Sequence, residues 1–310
     1  MILKVLKKVP AGLMIIPMFI GIIIHTFCPG VLEIGSFTTA TFSNTAAATF
    51  MGMQLLCLGS QMQLKGLRAA VKRGGVLLMS KVLLGVGFAL IIGKIGGHAG
   101  IFQISLLAFI CAITNINGSI YLSLVTTYGD EADGATVAIL SLSNGPLLTL
   151  IVLGMSGFAN FSFISLIAVI VPIGLGLLLG NINEELKLFL RPGVQLLLPF
   201  IGFTLGAGID LKDVLLAGSK GIMLSVIVIV VGGSFTYLCD RWLAKRPGYA
   251  GLATCATGAN AIGVPAAVAL VDRSWEPYVA SAATQIAAAV VIGAIVIPFV
   301  VGIFIKRKRG

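Results

Sequence analysis

The sequence predicts an all-α integral membrane protein with ten transmembrane helices, arranged as two inverted repeats of five helices each. Hydrophobic residues make up 58% of the 310 residues and charged residues only 10%, and the mean hydropathy is +1.08. A soluble domain of this length needs a much more polar surface. Long uncharged runs recur along the whole chain, and an internal repeat relates its halves. These observations favour lipid over water as the solvent.

Nine uncharged runs account for the ten predicted spans. Each is long enough to cross a hydrocarbon core, which takes about 20 helical residues, and one charge, Lys81, interrupts the third. The run 134–183 is too long for one crossing, and the turn-forming residues at 156–162 divide it. The runs show no period-two alternation, which disfavours a β-barrel. They cover 9–27, 34–64, 74–92, 99–129, 134–183, 192–209, 221–239, 247–271 and 277–305.

The distribution of the positive charges, which give the chain a net charge of +10, indicates its orientation in a membrane rather than a nucleic-acid partner. With both termini in the cytoplasm, the predicted inner loops and tails hold sixteen Lys and Arg residues, against four in the outer loops. This positive-inside bias supports an even number of spans. The apolar start of the chain is read as an uncleaved first span rather than as a signal peptide. The four outer residues are Lys94, Lys212, Lys220 and Arg273.

An internal repeat relates the two halves of the chain. At an offset of 147 positions the segment 58–66 (LGSQMQLKG) aligns with 205–213 (LGAGIDLKD), and at 143 positions Asn117 aligns with Asn260. Because each half holds an odd number of spans, the second half enters the membrane from the opposite side. Inverted repeats are typical of secondary transporters, although gene duplication also builds channels and membrane enzymes. We predict repeats at 1–157 and 158–310.

The fourth and ninth predicted spans carry clusters of Thr, Asn and Gly near their middle. The clusters are CAITNINGSIY at 111–121 and TCATGANAIGVP at 254–265, where Pro265 also lacks a backbone donor. A break at mid-membrane exposes free N–H groups on one half-helix and free carbonyls on the other, which suit anions and cations respectively. The alternative is that Gly and Thr only pack helices together. We predict that both spans are broken where they cross.

Uncharged polar side chains lie in the neighbouring spans. Amides and hydroxyls offer hydrogen-bond donors and acceptors without the cost of burying a charge, so they suit a polyhydroxylated, sugar-like ligand. Taken singly, each is also a common helix-packing residue. As a group near the two broken spans they predict a sugar-like site. They are Asn44, Gln54, Gln61, Ser141, Asn144, Thr284 and Gln285.

Lys81 is the one ionisable residue placed well inside a predicted span. Its amine either reaches the interface along its apolar stem, pairs with a substrate carboxylate, or exchanges a proton as a cavity opens. A carboxylate is not predicted at mid-membrane. Lys81, with Ser141 and Asn144 of the SLSNGP segment, is therefore the predicted coupling set.

Two other functional classes fit the sequence less well. A membrane enzyme needs a catalytic constellation, and the chain has no HExxH, no GxSxG, no acidic pair within a span and only two His residues. A channel could also use polar unwound segments. The sequence thus predicts a carrier that is not an enzyme, with a polar-pore channel as the alternative.

Four segments resemble the bacterial 2-keto-3-deoxygluconate permeases, and the likeness extends over nearly the whole chain. They are VPAGLMIIPMFIGIIIHTFCPG at 9–30, TNINGSIY at 114–121, SLSNGPL at 141–147 and LGAGIDL at 205–211. The resemblance implies import of a sugar acid from pectin and hexuronate breakdown by proton symport, across the bacterial inner membrane. It also implies a fold similar to the bile-acid sodium symporters, in which a core domain moves against a panel domain.

The resemblance implies roles for spans and residues. Spans three to five and eight to ten would form the core, and spans one, two, six and seven the panel. The substrate carboxylate would meet a half-helix N-terminus or Lys81. Its hydroxyls would meet Asn44, Gln54, Thr284 or Gln285. The crossing would be formed by Thr114, Asn115, Asn117, Ser119, Thr257, Asn260 and Gly263.

The resemblance implies a proton as the coupling ion, whereas the residues at the predicted site include no carboxylate to bind one. Proton symport usually uses a titratable group at the site, whereas this chain places amides at Asn117, Asn144 and Asn260. Lys81 could replace a carboxylate, or the ion could be sodium held by carbonyls and hydroxyls. We favour the proton and keep a sodium-coupled carrier of another organic anion as the alternative. The predicted partners are the sugar-acid substrate and the lipid bilayer, with no cofactor beyond the co-transported ion.

Overall fold

The computed structural model describes residues 12–62, 67–130, 133–134, 136–159 and 163–309. Within these ranges all regular structure is helical, apart from a single bridge between Ile101 and Ile104. The all-α prediction is confirmed to that extent. Five helical segments are long and apolar enough to cross a membrane: Arg73–Ala99, Leu106–Val125, Glu184–Gly206, Ala217–Trp242 and Arg273–Ile305.

The remaining apolar runs are divided into shorter pieces. Three shorter apolar stretches are Gly12–Phe27, Pro146–Met155 and Ile170–Ile182, the last of which is part of the helix Phe163–Ile182. Prolines lie inside two of the shorter helices, and Gly145 takes a φ of 120° directly before Pro146. Proline removes a helical hydrogen bond, and a positive φ ends a regular helix. The count of ten crossings stays a prediction.

The first half of the chain contains helices α1 to α8 in its described ranges. The predicted fourth span is present as two helices, α5 and α6, and the predicted turn near residue 157 follows the end of α8. The bounds are α1 Gly12–Phe27, α2 Ser36–Phe42, α3 Ala47–Gln61, α4 Leu67–Gly96, α5 Leu106–Thr114, α6 Gly118–Tyr128, α7 Val137–Leu140 and α8 Pro146–Met155.

The second half contains helices α9 to α17. A single π-helical turn, Val228–Gly232, joins α13 to α14, and 3-10 turns at Ala259–Ile262 and Arg273–Tyr278 precede α16 and α17. The bounds are α9 Phe163–Ile182, α10 Glu184–Leu190, α11 Gly193–Leu196, α12 Leu198–Gly206, α13 Leu211–Ile227, α14 Gly233–Trp242, α15 Tyr249–Ala253, α16 Val264–Val271 and α17 Val279–Arg309.

Two helix pairs, α1 with α12 and α3 with α9, pack backbone against backbone. Glycines make this approach possible, because a methyl group at Gly206 would overlap the carbonyl oxygen of Met18, and one at Gly59 would overlap that of Ile173. Small residues at such contacts are how helices associate in lipid, where apolar side chains gain little from leaving the solvent. The close contacts hold each pair as a unit.

The centre of the molecule is α5, whose residues from Leu106 to Thr114 are all buried. Ser105 caps this helix by accepting a hydrogen bond from the Ala108 N–H at 3.1 Å. Helices α4, α8 and α17 pack around α5, and α13 packs along α17. A helix buried on every side is typical of the interior of a large helical protein, and its C-terminal end leads into the candidate site.

Candidate transport site

Two interrupted helices meet at the centre of the structure. Between α5 and α6 the backbone is extended at Asn115 and Asn117, and between α15 and the next turn it is non-helical at 255–258. The Asn117 N–H donates to the Ala256 carbonyl at 2.6 Å, and the Thr257 hydroxyl donates to the Ala112 carbonyl at 3.1 Å. The two breaks therefore contact each other directly, and we call residues 114–117 and 255–258 at this contact the crossing.

Local chemistry explains why the helices stop here. The Asn117 Oδ1 accepts a hydrogen bond from the Ile120 N–H at 3.1 Å and so caps the start of α6. Gly258 lies against the Ile116 carbonyl, 2.7 Å from where a Cβ would stand, so a larger residue would separate the two segments. Pro265 sits in the first turn of α16, where its missing N–H costs nothing. Asn, Gly and Pro thus set the positions of both breaks.

The side chains of Thr114 and Asn115 form hydrogen bonds within the protein that stabilise the crossing. The Thr114 hydroxyl lies 2.7 Å from the Thr149 hydroxyl of α8 and donates to the Ile110 carbonyl at 2.7 Å. The Asn115 amide donates to the Cys111 carbonyl at 3.1 Å and accepts from the Gly145 N–H at 3.0 Å. Both side chains are fully buried. They fix the break between α5 and α6 to the start of α8.

A small open cavity adjoins the crossing, between α1, α3 and α12 on one side and the starts of α8 and α16 on the other. Its enclosed part is small, about 30 Å³, and the empty space rises to about 370 Å³ when the open mouth is counted. Most of the lining is apolar, and the amides of Gln54 and Asn260 are its polar side chains. The main lining residues are Met14, Met51, Gln54, Leu58, Gly145, Pro146, Ile201, Asn260, Gly263 and Val264.

The first turns of α8 and α16 both border this cavity, through Pro146 and Val264. The first N–H groups of a helix have no partner within the helix, and the helix dipole places partial positive charge there. Two such ends at one cavity favour a negatively charged group. The cavity therefore combines an anion-attracting wall with two amides and an apolar floor.

The other predicted substrate residues are dispersed. Asn117 is half-buried at the crossing and Ser119 is exposed beside it, whereas Asn44 is exposed against Gly208. The Thr284 hydroxyl donates to the Ala280 carbonyl, and the Gln285 amide donates to the Gln103 carbonyl at 2.9 Å. Asn44, Thr284 and Gln285 are absent from the cavity lining. The structure thus brings together Gln54, Asn260 and the crossing, and leaves these three apart.

The predicted coupling residues lie beside the crossing and are not among the described lining residues of the cavity. Lys81 is 0% exposed, and its Nζ lies 3.9 Å from the Cys255 Sγ in the broken segment. Ser141 begins a 3-10 turn and Asn144 follows that turn, directly before Gly145 of the cavity. Within the described ranges, Lys81 makes no ion pair.

A buried ion cluster was missed by the sequence reasoning. Arg73 donates from Nε to the Asp133 carboxylate at 2.8 Å and from Nη1 to the Asp240 carboxylate. The Tyr249 hydroxyl donates to Asp133 at 2.5 Å, and the Gly251 N–H donates to Asp240 at 3.2 Å. We call Arg73, Asp133, Asp240 and Tyr249 the Arg73 cluster.

The Arg73 cluster continues to the surface. Arg246, with a side chain 30% exposed, pairs with Asp130 at 2.5 Å and lies 3.8 Å from Asp133. The sequence counted Arg73 and Arg246 only as positive charges of inner loops. An Arg at the start of one apolar run and an Asp at the end of another was the available signal, but partners 167 residues apart in sequence are not visible without the fold.

No group of three His, Cys, Asp or Glu side chains that could hold a metal occurs in the described part of the chain. A sodium ion held by carbonyl and hydroxyl oxygens would not need such a group. Metal-ligand chemistry therefore does not distinguish the two coupling ions.

Comparisons with known proteins agree with one another. A family model described as 2-keto-3-deoxygluconate permease matches residues 3–310. The 2-keto-3-deoxygluconate permease 1 of Salmonella typhimurium is 41% identical over 305 residues, covering 98% of this chain and 96% of that protein. The 2-keto-3-deoxygluconate permeases of Xanthomonas oryzae pv. oryzae and Escherichia coli O157:H7 are each 31% identical, with 98% and 99% of this chain covered and 96% and 95% of those proteins.

Proposed function

Because the chain belongs to the 2-keto-3-deoxygluconate permease family, a family of multi-pass membrane transporters, we propose that it imports 2-keto-3-deoxygluconate together with a proton. The observation that carries the proposal is the cavity beside the crossing, which two helix N-termini and two amides border. The substrate is a carboxylate with hydroxyl groups, and the cavity offers a fitting partner for each part. None of the described lining side chains is charged, so in this proposal the helix ends and the amides bind the substrate.

The substrate carboxylate lies, in this proposal, at the first turns of α8 and α16. Anions bind at helix N-termini because free N–H groups and the dipole act together. The hydroxyl groups bind the amides of Gln54 and Asn260, each of which can donate and accept. Gln54 already donates one N–H to the Val194 carbonyl at 3.0 Å, which leaves its oxygen and its second N–H for the substrate. The binding roles of Asn117, Ser119 and Thr257 at the crossing remain predictions.

We propose that the fold is an inverted repeat, with 1–157 and 158–310 as its halves. Matched contacts support this. A methyl group at Gly21 in α1 would overlap the Phe203 carbonyl in α12, and one at Gly176 in α9 would overlap the Leu56 carbonyl in α3. Gly21 and Gly176 are 155 positions apart, and Leu56 and Phe203 are 147 apart. The pair α1–α12 is thus repeated, with its partners exchanged, in the pair α9–α3.

A panel of α1, α3, α9 and α12 and a core of α4–α8 and α13–α17 follow from the same proposal. The cavity lies between members of the two groups, since Met14, Gln54 and Ile201 face Gly145 and Asn260 across it. Movement of the core against the panel would open such a cavity to one side and then to the other. This movement is what would make the protein a carrier rather than a channel.

Proton coupling through Lys81 is the simplest arrangement of the described residues. Lys81 is fully buried and forms no direct ion pair with another described residue. Such an amine can gain and lose a proton as the cavity opens to either side. Sodium held by carbonyls at the crossing is the alternative, and Ser141 and Asn144 are placed to take part in it. Orientation in the inner membrane with both termini in the cytoplasm belongs to the same proposal.

Counterflow in proteoliposomes tests the function. Vesicles preloaded with unlabelled 2-keto-3-deoxygluconate should accelerate the entry of external labelled substrate, because a carrier returns faster when it is loaded. A channel gives flux without this acceleration. Flux without counterflow would replace the carrier with a channel, and the absence of any flux would remove the proposed substrate.

A further inference from the structure

Four charged side chains are buried in the described ranges: Arg73, Lys81, Asp133 and Asp240. Three of them belong to the Arg73 cluster, and the fourth is the proposed proton carrier. Among the described residues, two carboxylates face one guanidinium in the cluster, which gives it a formal charge of −1. The outer pair of Arg246 and Asp130 adds one charge of each sign and so does not change this sum. A buried net charge affects every ionisable group near it, because the surroundings screen it weakly.

The Arg73 cluster lies two helical turns from Lys81. Arg73 and Lys81 are on one face of α4, eight residues apart, which corresponds to about 12 Å along the helix axis. A second route runs through α14, where Thr236 lies one turn before Asp240. The Thr236 hydroxyl is 3.4 Å from the Cys255 Sγ, which in turn is 3.9 Å from the Lys81 Nζ. Packed polar groups therefore connect the cluster to the amine.

One donor of the cluster has no hydrogen-bond partner among the described residues. Arg73 is 7% exposed, yet its Nη2 has no hydrogen-bond partner in the described part of the molecule. An ion network that served only to hold helices together would be expected to use every buried donor, since an unmatched donor is costly. The second carboxylate leaves a negative charge that the single guanidinium does not neutralise.

We propose that the net negative charge of the Arg73 cluster is the counter-charge of Lys81, stabilising its protonated form and setting the pH range in which the carrier takes up its proton. This inference rests on the proposed function. The cluster residues act through Lys81 and do not contact the substrate, so they are positioning residues. We expect Asp240 to contribute most to this stabilisation of protonated Lys81, because it is fully buried, pairs with Arg73 of α4 and lies one turn after Thr236 in α14.

Among the described residues, the other titratable groups around Lys81 do not supply this charge. Helix α5 contributes Cys111, and the segment after α15 contributes Cys255. The described parts of α7 and α8 contribute no titratable side chain. Helix α14 carries Tyr237, Cys239 and Arg241 besides Asp240, and α6 carries Tyr121, whose hydroxyl bonds Thr136 at 2.6 Å. Arg241 is exposed. The carboxylates of the cluster are therefore the negative charges to test.

The expected size of the effect follows from Coulomb's law. If the axial separation of Arg73 and Lys81, about 12 Å, is taken as the distance between the charge and the amine, a unit charge in a medium of effective dielectric constant about 20 changes the proton affinity of Lys81 by roughly tenfold, or about one pH unit. Asp240→Asn removes that charge while keeping the size of the side chain. Tyr249→Phe is the matched control, because it removes a hydrogen bond from the same cluster without changing its charge.

The experiment measures the KM of labelled 2-keto-3-deoxygluconate in counterflow, with equal pH on both sides of the vesicle, as a function of that pH. For Asp240→Asn the pH at which KM rises should move down by about one unit, Asp240→Glu should restore it, and Tyr249→Phe should leave it in place. If Asp240→Asn fails to fold, Asp133→Asn makes the same change of charge.

Two results would overturn the inference while leaving the carrier intact. One is an unchanged pH profile in Asp240→Asn and Asp133→Asn. The other is an equal shift in Tyr249→Phe, which would attribute the change to loosened packing rather than to charge. A wild-type KM that does not depend on pH would instead reject the proposed proton coupling itself.

Discussion

Replacing Asn260 by Ala tests the placement of the substrate in the cavity. Asn260 is half-buried, lies in the 3-10 turn before α16 and supplies one of the two polar side chains in the described part of the lining. Its amide can donate and accept, and each net hydrogen bond contributes about 0.5–1.5 kcal/mol. Loss of one or two such bonds should therefore cost about 1.5 kcal/mol, which is roughly a tenfold rise in the dissociation constant.

The matched control is Asn44→Ala. The sequence placed Asn44 and Asn260 in one predicted site, whereas the structure places Asn44 at an exposed position against Gly208, away from the cavity. Binding of 2-keto-3-deoxygluconate to the purified protein, measured by calorimetry, should be weakened about tenfold in Asn260→Ala and be unchanged in Asn44→Ala. Unchanged affinity in Asn260→Ala, or equal loss in both variants, would refute the cavity as the binding site.

Three further predictions concern packing, orientation and coupling. Gly59→Ala should destabilise the protein by about 1–3 kcal/mol, because its methyl group would overlap the Ile173 carbonyl. Gly52→Ala in the same helix is the control: its methyl group would meet nothing within 4 Å, and it should stabilise the protein by about 1 kcal/mol. Thermal unfolding in detergent measures both variants, and equal effects would contradict the contact between Gly59 and Ile173. Cys28, an exposed free thiol, should react with an impermeant maleimide applied outside intact spheroplasts, and labelling only after permeabilisation would reverse the proposed orientation. Lys81→Met should lose accumulation driven by a proton gradient but keep counterflow, and retained accumulation would exclude Lys81 as the proton carrier.

Much of the fold could be predicted because its determinants are local. The breaks at 115–117 and 255–258 follow from Asn, Gly and Pro within the interrupted segments themselves, where capping and close backbone approach act over a few residues. The all-helical class follows from composition. The number of crossings was harder to read, because prolines and turns divide several apolar runs into pieces shorter than a bilayer.

The assignment of polar side chains to the site was less predictable, because each could bond either to substrate or to the protein. Asn115 is committed to the Gly145 N–H and Gln285 to the Gln103 carbonyl, contacts that span 30 and 182 residues of sequence. The Arg73 cluster has the same origin, since it joins residues 60 and 167 positions apart. Pairings between distant segments are set by the packing of helices, and residue type alone does not reveal them.

Uptake of labelled 2-keto-3-deoxygluconate into proteoliposomes, under a proton gradient and a sodium gradient imposed separately, tests the central claim most directly. The account predicts accumulation above equilibrium when the outside is acidic, and none when only sodium is higher outside. Accumulation driven by sodium alone would contradict proton coupling through Lys81. Absence of uptake under either gradient, in protein that is folded and reconstituted, would contradict the proposed transport of this sugar acid.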